Sequence, residues 1–283
     1  MKLFRTQSRE SIRPRPTHGA DVLLGIEDEP DDGIEFDPKR DISQKSFARM
    51  KEELEEVRDK RWWSDFSNMT MNLSLLFPDR KVELNLNEDV FDGMKAQLEV
   101  YRGKNWWGFS NMAMHLCLLF PDRRTDLNLN DDAFDGMKAQ LEGFRGKGWS
   151  LFSDVAMDVS LLFPDRKHEL ELNEATFDWM NGELERHRGN KDWWLFSTIA
   201  MFLSLLFPDR KADLNLNDDA FDGMKGKLEE YRGKNWWSFS FMAMRLCILA
   251  ADRAEILNGQ IVITPKKPKL TRDPKPLPER SQL

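Results

Sequence analysis

Apolar positions along this chain fall on a helical period, and the whole pattern returns every 43 or 44 residues. Its clearest copy runs from Val90 to Asp132, VFDGMKAQLEVYRGKNWWGFSNMAMHLCLLFPDRRTDLNLNDD. The leading phenylalanines, Phe47, Phe91, Phe134, Phe177 and Phe221, mark five copies at intervals of 44, 43, 43 and 44 residues. Within a copy, Phe91, Met94, Leu98 and Tyr101 stand at i, i+3, i+7 and i+10, the apolar stripe of an amphipathic helix. A second helix, from about Trp106 to Phe120, is apolar on nearly every side, so it must be buried between neighbours. Pro121 ends it, as do Pro78, Pro164 and Pro208 in their copies. DRRTDLNL is then expected to form a short helical turn, and Asn130 to cap the first helix of the next copy. Gly103, Gly146, Gly189 and Gly233 are expected to close the first helices in the left-handed conformation.

A hairpin of this kind cannot bury both faces of its second helix alone, so the copies must stack. The pattern predicts an all-α fold, an α-solenoid of five helical-hairpin repeats with boundaries 46–89, 90–132, 133–175, 176–219 and 220–258. At interaxial distances of roughly 8–10 Å, five copies make a rod or arc on the order of 50 Å long. In period and helix pairing, residues 46–258 resemble the HEAT and armadillo helical repeats, and the resemblance implies a scaffold or binding platform. In the last copy FPDR becomes Ala250-Ala251-Asp252-Arg253, so its second helix is expected to continue to Asn258-Gly259. QIVITP, residues 260–265, is expected to add a short edge strand or extended cover.

Composition changes the picture at the two ends. Residues 1–45 lack periodicity and read as a disordered, charged arm, and 259–283 as an extended, basic, proline-rich tail. Of the total charge of −7, residues 1–20 carry +4, 21–45 carry −6 and 264–283 carry +4, which leaves −9 on the repeats. A body this acidic is repelled by nucleic acid and by anionic lipid, so nucleic acid is expected only at the basic tails. No apolar run reaches the roughly 18 residues that span a bilayer, and the first residues lack a secretory apolar region. Cys117 and Cys247 share one slot of two copies, where the other copies hold Ser74, Ser160 and Ser204, and are expected to be small packing residues.

Candidate chemistry narrows quickly. Asp131, Asp135, Gly136 and Glu142 fit part of a calcium loop, but Ala133 offers no ligand and Trp179 and Arg49 replace the turn glycine in other copies. Ser67, Ser110, Ser153, Ser197 and Ser240 recur in every copy without a partner histidine and read as packing or capping groups. No metal, cofactor or catalytic residue is expected. Variation between copies is more informative. On the second helix two positions four residues apart change freely: Asn68, Asn111, Asp154, Thr198 and Phe241 at one, Asn72, His115, Asp158, Phe202 and Arg245 at the other. Such positions are expected to face solvent or a partner, and Leu116, beside His115, the core. Toward the C-terminal end the stripe becomes Thr198, Phe202, Phe241 and Arg245, the expected site for a protein or an acidic-hydrophobic peptide, the arm Val22–Asp37 included. The chain therefore reads as a non-enzymatic, cytoplasmic binding scaffold. The alternative is a structural protein in which the open repeat ends or the tails join copies head to tail.

Overall fold

Each copy folds as the expected helix pair. In the computed structural model the described residues are 44–251 and two strands, 253–257 and 260–264, all in one unit. Residues 1–43 and 265–283, and with them most of the arm and the tail, lie outside the described residues. The first helices of the copies are α1 (Gln44–Asp59), α3 (Glu88–Tyr101), α5 (Asp131–Phe144), α7 (Glu174–Gly189) and α9 (Asp218–Tyr231). The second helices are α2 (Trp63–Leu76), α4 (Trp106–Leu119), α6 (Trp149–Leu162), α8 (Trp193–Leu206) and α10 (Trp236–Ala250). Between copies the expected short turn is a 3-10 segment, Pro78–Leu84 and its three equivalents, each opened by the proline. Asn87, Asn130, Asn173 and Asn217 cap the next helix by accepting the backbone N–H three residues on.

The alternation of 43- and 44-residue intervals has a local cause. Gly103, Gly146 and Gly233 take the left-handed conformation and stop 14-residue helices. Gly189 does not: it is the last residue of the 16-residue α7, and Lys191 is the left-handed residue instead. The first copy matches the fourth, with a 16-residue α1 and Arg61 left-handed. The extra residue in these two copies is thus spent on a longer first helix.

Arginines fix the seams. The FPDR arginine of each copy lies over that copy's leading phenylalanine, Arg80 on Phe47, Arg123 on Phe91, Arg166 on Phe134 and Arg210 on Phe177, at 3.5 to 3.9 Å. An acid three residues later, such as Glu83 for Arg80, holds the guanidinium flat. The calcium-like acids are used the same way: Asp131 pairs with Arg166 and Glu142 with Arg145, while α5 runs straight through the motif. Gly136 has a different reason to be glycine. The Trp106 indole of the preceding copy lies where its Cβ would be, and Trp63 and Trp193 do the same at Gly93 and Gly223. Where Trp179 replaces the glycine it packs on Phe152, and Trp149 turns onto His187. Gly136→Ala is therefore expected to destabilise by about 1–3 kcal/mol through overpacking. Gly143→Ala, on the same helix with open space around it, should stabilise by about 0.5–1 kcal/mol. Urea unfolding of both variants checks the sign difference.

The largest departure from expectation is closure. α2, α4, α6, α8 and α10 each pack on the next, and α10 packs back onto α2 and α1. The repeat body is a ring with the second helices inside, not a rod or arc with two ends. The first four copies are wedges, since the outer layer holds a helix and a 3-10 segment and the inner layer one helix, and in the fifth the strand β1 follows the inner helix instead. Five copies complete the turn. α10 ends at Ala250 instead of reaching Asn258. The chain continues as β1 (Arg253–Leu257), paired antiparallel with β2 (Gln260–Thr264) in a register that sets Leu257 against Gln260. The expected edge strand is β2, and Asn-Gly, the sequence pair that favours a tight hairpin, separates the two strands.

Candidate binding site

Because the ring closes, one slot repeated in five copies becomes one place. The inner helices line an axial cavity of about 440 Å³, within the roughly 300–1,000 Å³ range of small-molecule sites. Along α2, α8 and α10 the lining positions are spaced four, three and four residues apart, one face of a helix, and α4 and α6 supply the first three of the same series. Ser64, Trp107, Ser150, Trp194 and Trp237 form the layer at the N-terminal end, where Trp107 is 40% exposed. Asn68, Asn111, Asp154, Thr198 and Phe241 form the next. Below them all five copies contribute methionine, Met71, Met114, Met157, Met201 and Met244, over a floor that includes Leu75, Leu205 and Ile248.

The backbone repeats but the chemistry does not. Copies one and two present amides, Asn68, Asn105 and Asn111. Copy three presents Asp154. Copies four and five present an aromatic wall: Trp194 and Trp237 stack with centroids 6.5 Å apart, and Phe241 lies 4.5 Å from Trp237. Arg245 lies 4.2 Å over the Trp194 ring and also reaches Phe241.

A polar belt ties these helices together, and the recurrent serines are half of it. Asn72 Nδ2 donates to Ser240 Oγ at 3.2 Å, which bonds the first copy to the last. His115 Nδ1 lies 2.9 Å from Ser67 Oγ, Asp158 Oδ2 2.8 Å from Ser110 Oγ, and Arg245 Nη1 3.4 Å from Ser197 Oγ. In each case a residue of one copy meets the serine of the copy before, and only Phe202 leaves a gap. The serines give their own protons to carbonyls three residues back, as Ser67 does to Ser64. Asn72 and Arg245 donate to their serines, and a neutral His115 with its proton on Nδ1 does the same, whereas Ser110 Oγ also donates to Asp158 Oδ2. The second polar atom of each belt residue, Asn72 Oδ1, His115 Nε2, Asp158 Oδ1 and Arg245 Nε, is buried without a protein partner.

Burial sets the charge states. It pushes His115 down to about 3, so the imidazole is neutral. It raises Asp158 well above the carboxylate range, with Asp154 adding to the effect and the Ser110 hydroxyl, which donates to Asp158 Oδ2, opposing it. Asp154, which opens on the cavity and is otherwise enclosed, is pushed up to about 7 by burial, against the favourable influence of Arg245 and the Trp107 indole. Burial lowers Arg245 to about 10, leaving it a cation. Cys117 is buried and pushed up to about 11, the state of an inert packing thiol.

Thr198, Phe202, Phe241 and Arg245 are therefore brought together, but on the axis and not on an outer surface. Thr198, Phe202 and Arg245 are buried and Phe241 is half-buried. The expectation that varying positions face solvent fails for the same reason at His115, which is as buried as Leu116. Trp107, Trp194 and Trp237 are cavity residues that helical spacing alone assigns to packing. Their signal is the uneven slot Ser64, Trp107, Ser150, Trp194, Trp237, which varies where a plain core slot would not. The acidic arm, the intramolecular ligand expected for this stripe, lies outside the described residues. No helix among the described residues is long and apolar enough to cross a membrane. The chain matches no protein-family model, no curated protein and no solved structure.

Proposed function

We propose that this protein is a non-catalytic binding protein whose ligand is a small molecule held on the axis of the ring. One observation carries the reading. The positions at which near-identical copies differ converge on a single cavity, while the positions they share build its walls. A symmetric scaffold with an asymmetric lining suits one asymmetric ligand. Binding is preferred to catalysis because the group that would act with Asp154 in the cavity is mistuned: burial holds His115 neutral. The wider expectation of a binding protein is kept, and the ligand shrinks from a protein surface to something the cavity encloses. Assembly through open repeat faces has no such faces to use among the described residues.

The test is a small-molecule library read by melting temperature and by fluorescence of the cavity tryptophans. A single-site ligand at a hundredfold excess over its Kd adds about 2.7 kcal/mol. Asn111→Phe should abolish that gain without loss of helicity, because the same slot already accepts Phe241 in the fifth copy. Stabilisation that survives the blocked cavity would place the ligand elsewhere.

A further inference from the structure

Two groups able to carry opposite charges share the axial cavity without pairing directly. Asp154 on α6 and Arg245 on α10 both line it, with α8 between them. Each feels the other's charge, yet among the described residues they form no direct ion pair. Arg245 is also underused as a donor. Its Nη1 reaches Trp194 O at 3.3 Å and Ser197 Oγ at 3.4 Å, long for a guanidinium, and its Nε has no protein partner although the residue is 6% exposed. A buried guanidinium held flat on Trp194 with so few bonds is a site prepared for an anionic group of planar shape.

We infer that the axial cavity takes a small zwitterion with an apolar group, its ammonium on Asp154, its carboxylate on Arg245 and its apolar part against the aromatic wall and the methionine layer. This deepens the proposed function and rests on it. The choice of a zwitterion follows from the company each charge keeps. A ligand with only an ammonium would set a second cation near Arg245, and one with only a carboxylate would set a second anion near Asp154. A neutral apolar ligand would leave both charges facing a dry wall. A molecule carrying both signs at short separation satisfies each and adds no net charge to the ring. The amides of Asn68 and Asn111 face the same layer as Asp154 and supply acceptors for the remaining ammonium protons. Met71, Met114 and Met201 form an adaptable apolar surface beneath.

The experiment is calorimetric titration of the full chain with three probes of one shape: L-phenylalanine, phenethylamine and 3-phenylpropionate. L-Phenylalanine should bind at least tenfold more tightly than either single-charge analogue. Asp154→Asn should weaken L-phenylalanine and phenethylamine about tenfold and leave 3-phenylpropionate no weaker. Arg245→Met should weaken L-phenylalanine and 3-phenylpropionate instead. Arg245→Lys, which keeps the charge and is less disruptive to the Trp194 wall, should retain part of the carboxylate binding, and melting temperatures report whether each variant is folded. If a single-charge analogue binds as well as L-phenylalanine, or if neither charge matters, the inference is wrong. If L-phenylalanine fails while library compounds stabilise the wild type but not Asn111→Phe, the zwitterion alone is refuted and the cavity reading stands. If no compound of any class binds, both fall together.

Discussion

Replacing His115 by glutamine is expected to make the protein gain on the wild type by about 4 kcal/mol as pH falls from 6.5 towards 3. The sign follows from where the protons sit. Unfolded, the imidazole titrates near 6.5; folded, burial holds it neutral down to about 3. Between these values the unfolded chain binds a proton that the folded chain refuses, so stability present above pH 6.5 is lost as pH drops. Every tenfold difference in proton affinity between the two states is worth about 1.4 kcal/mol. Asp154→Asn should do the reverse. The Asp154 carboxyl ionises near 3.8 when unfolded and near 7 when folded, so its contribution is fully present below 3.8 and lost as pH rises through 7. That variant should gain on the wild type over the same range by a similar amount. In the wild type the two groups oppose one another between about pH 4 and 6.5, and Asp158, raised in the same direction as Asp154, adds to the carboxyl side. Urea unfolding in steps of pH, taken as differences from the wild type, separates them. Parallel profiles for all three proteins would show that neither group is buried as described.

Much of the architecture is legible one helix at a time. The stripe Phe91 to Tyr101, the proline stops and the asparagine caps are local devices, and local devices leave local patterns. Even the extra residue of the first and fourth copies is visible as a change of interval, although only the folded chain shows that it lengthens α1 and α7. Gly189 misleads because a glycine before a loop has the same spelling whether the helix stops two residues before it or at it.

Closure is different, because the rotation from one copy to the next is a property of wedge shape summed over many side chains. A helix apolar on all sides announces that it has neighbours, not which ones. One signal for the ring does exist. In an open array the last copy would have no use for Ser240 and the first none for Asn72, and terminal repeats shed such residues for polar faces. Both are kept, and they bond to each other. The varying stripe is misread for a related reason. Variation marks exposure on the surface of a rod, whereas on a ring axis five equal residues would crowd one point, so divergence concentrates in the interior. Recurrence argues against a site when copies are far apart and loses that force when they converge.

Ending the chain after Asn217, which removes α9 and α10, is expected to unfold the first copy as well as to delete the last. In an open array each repeat touches only its neighbours, so residues 44–84 would not sense the loss. In the ring α10 covers α2 and touches α1, and Asn72 loses Ser240. Two inner helices, α2 and α8, would each meet water along a face built for a neighbour. Each large apolar side chain so exposed forfeits about 1.5–3 kcal/mol, and several of them together approach the roughly 5–15 kcal/mol by which a protein is stable at all. The truncated chain should therefore lose more helix than the deleted residues account for, melt over a broad range, and be cut by protease within residues 44–84, at the far end of the sequence from the change. Blocking the ring at a single bond is milder: it leaves the packing of α10 on α2 in place and should keep the first copy protected. If the truncated protein keeps residues 44–84 as resistant as in the full chain and melts cooperatively, copies one and five are not neighbours and the axial cavity does not exist.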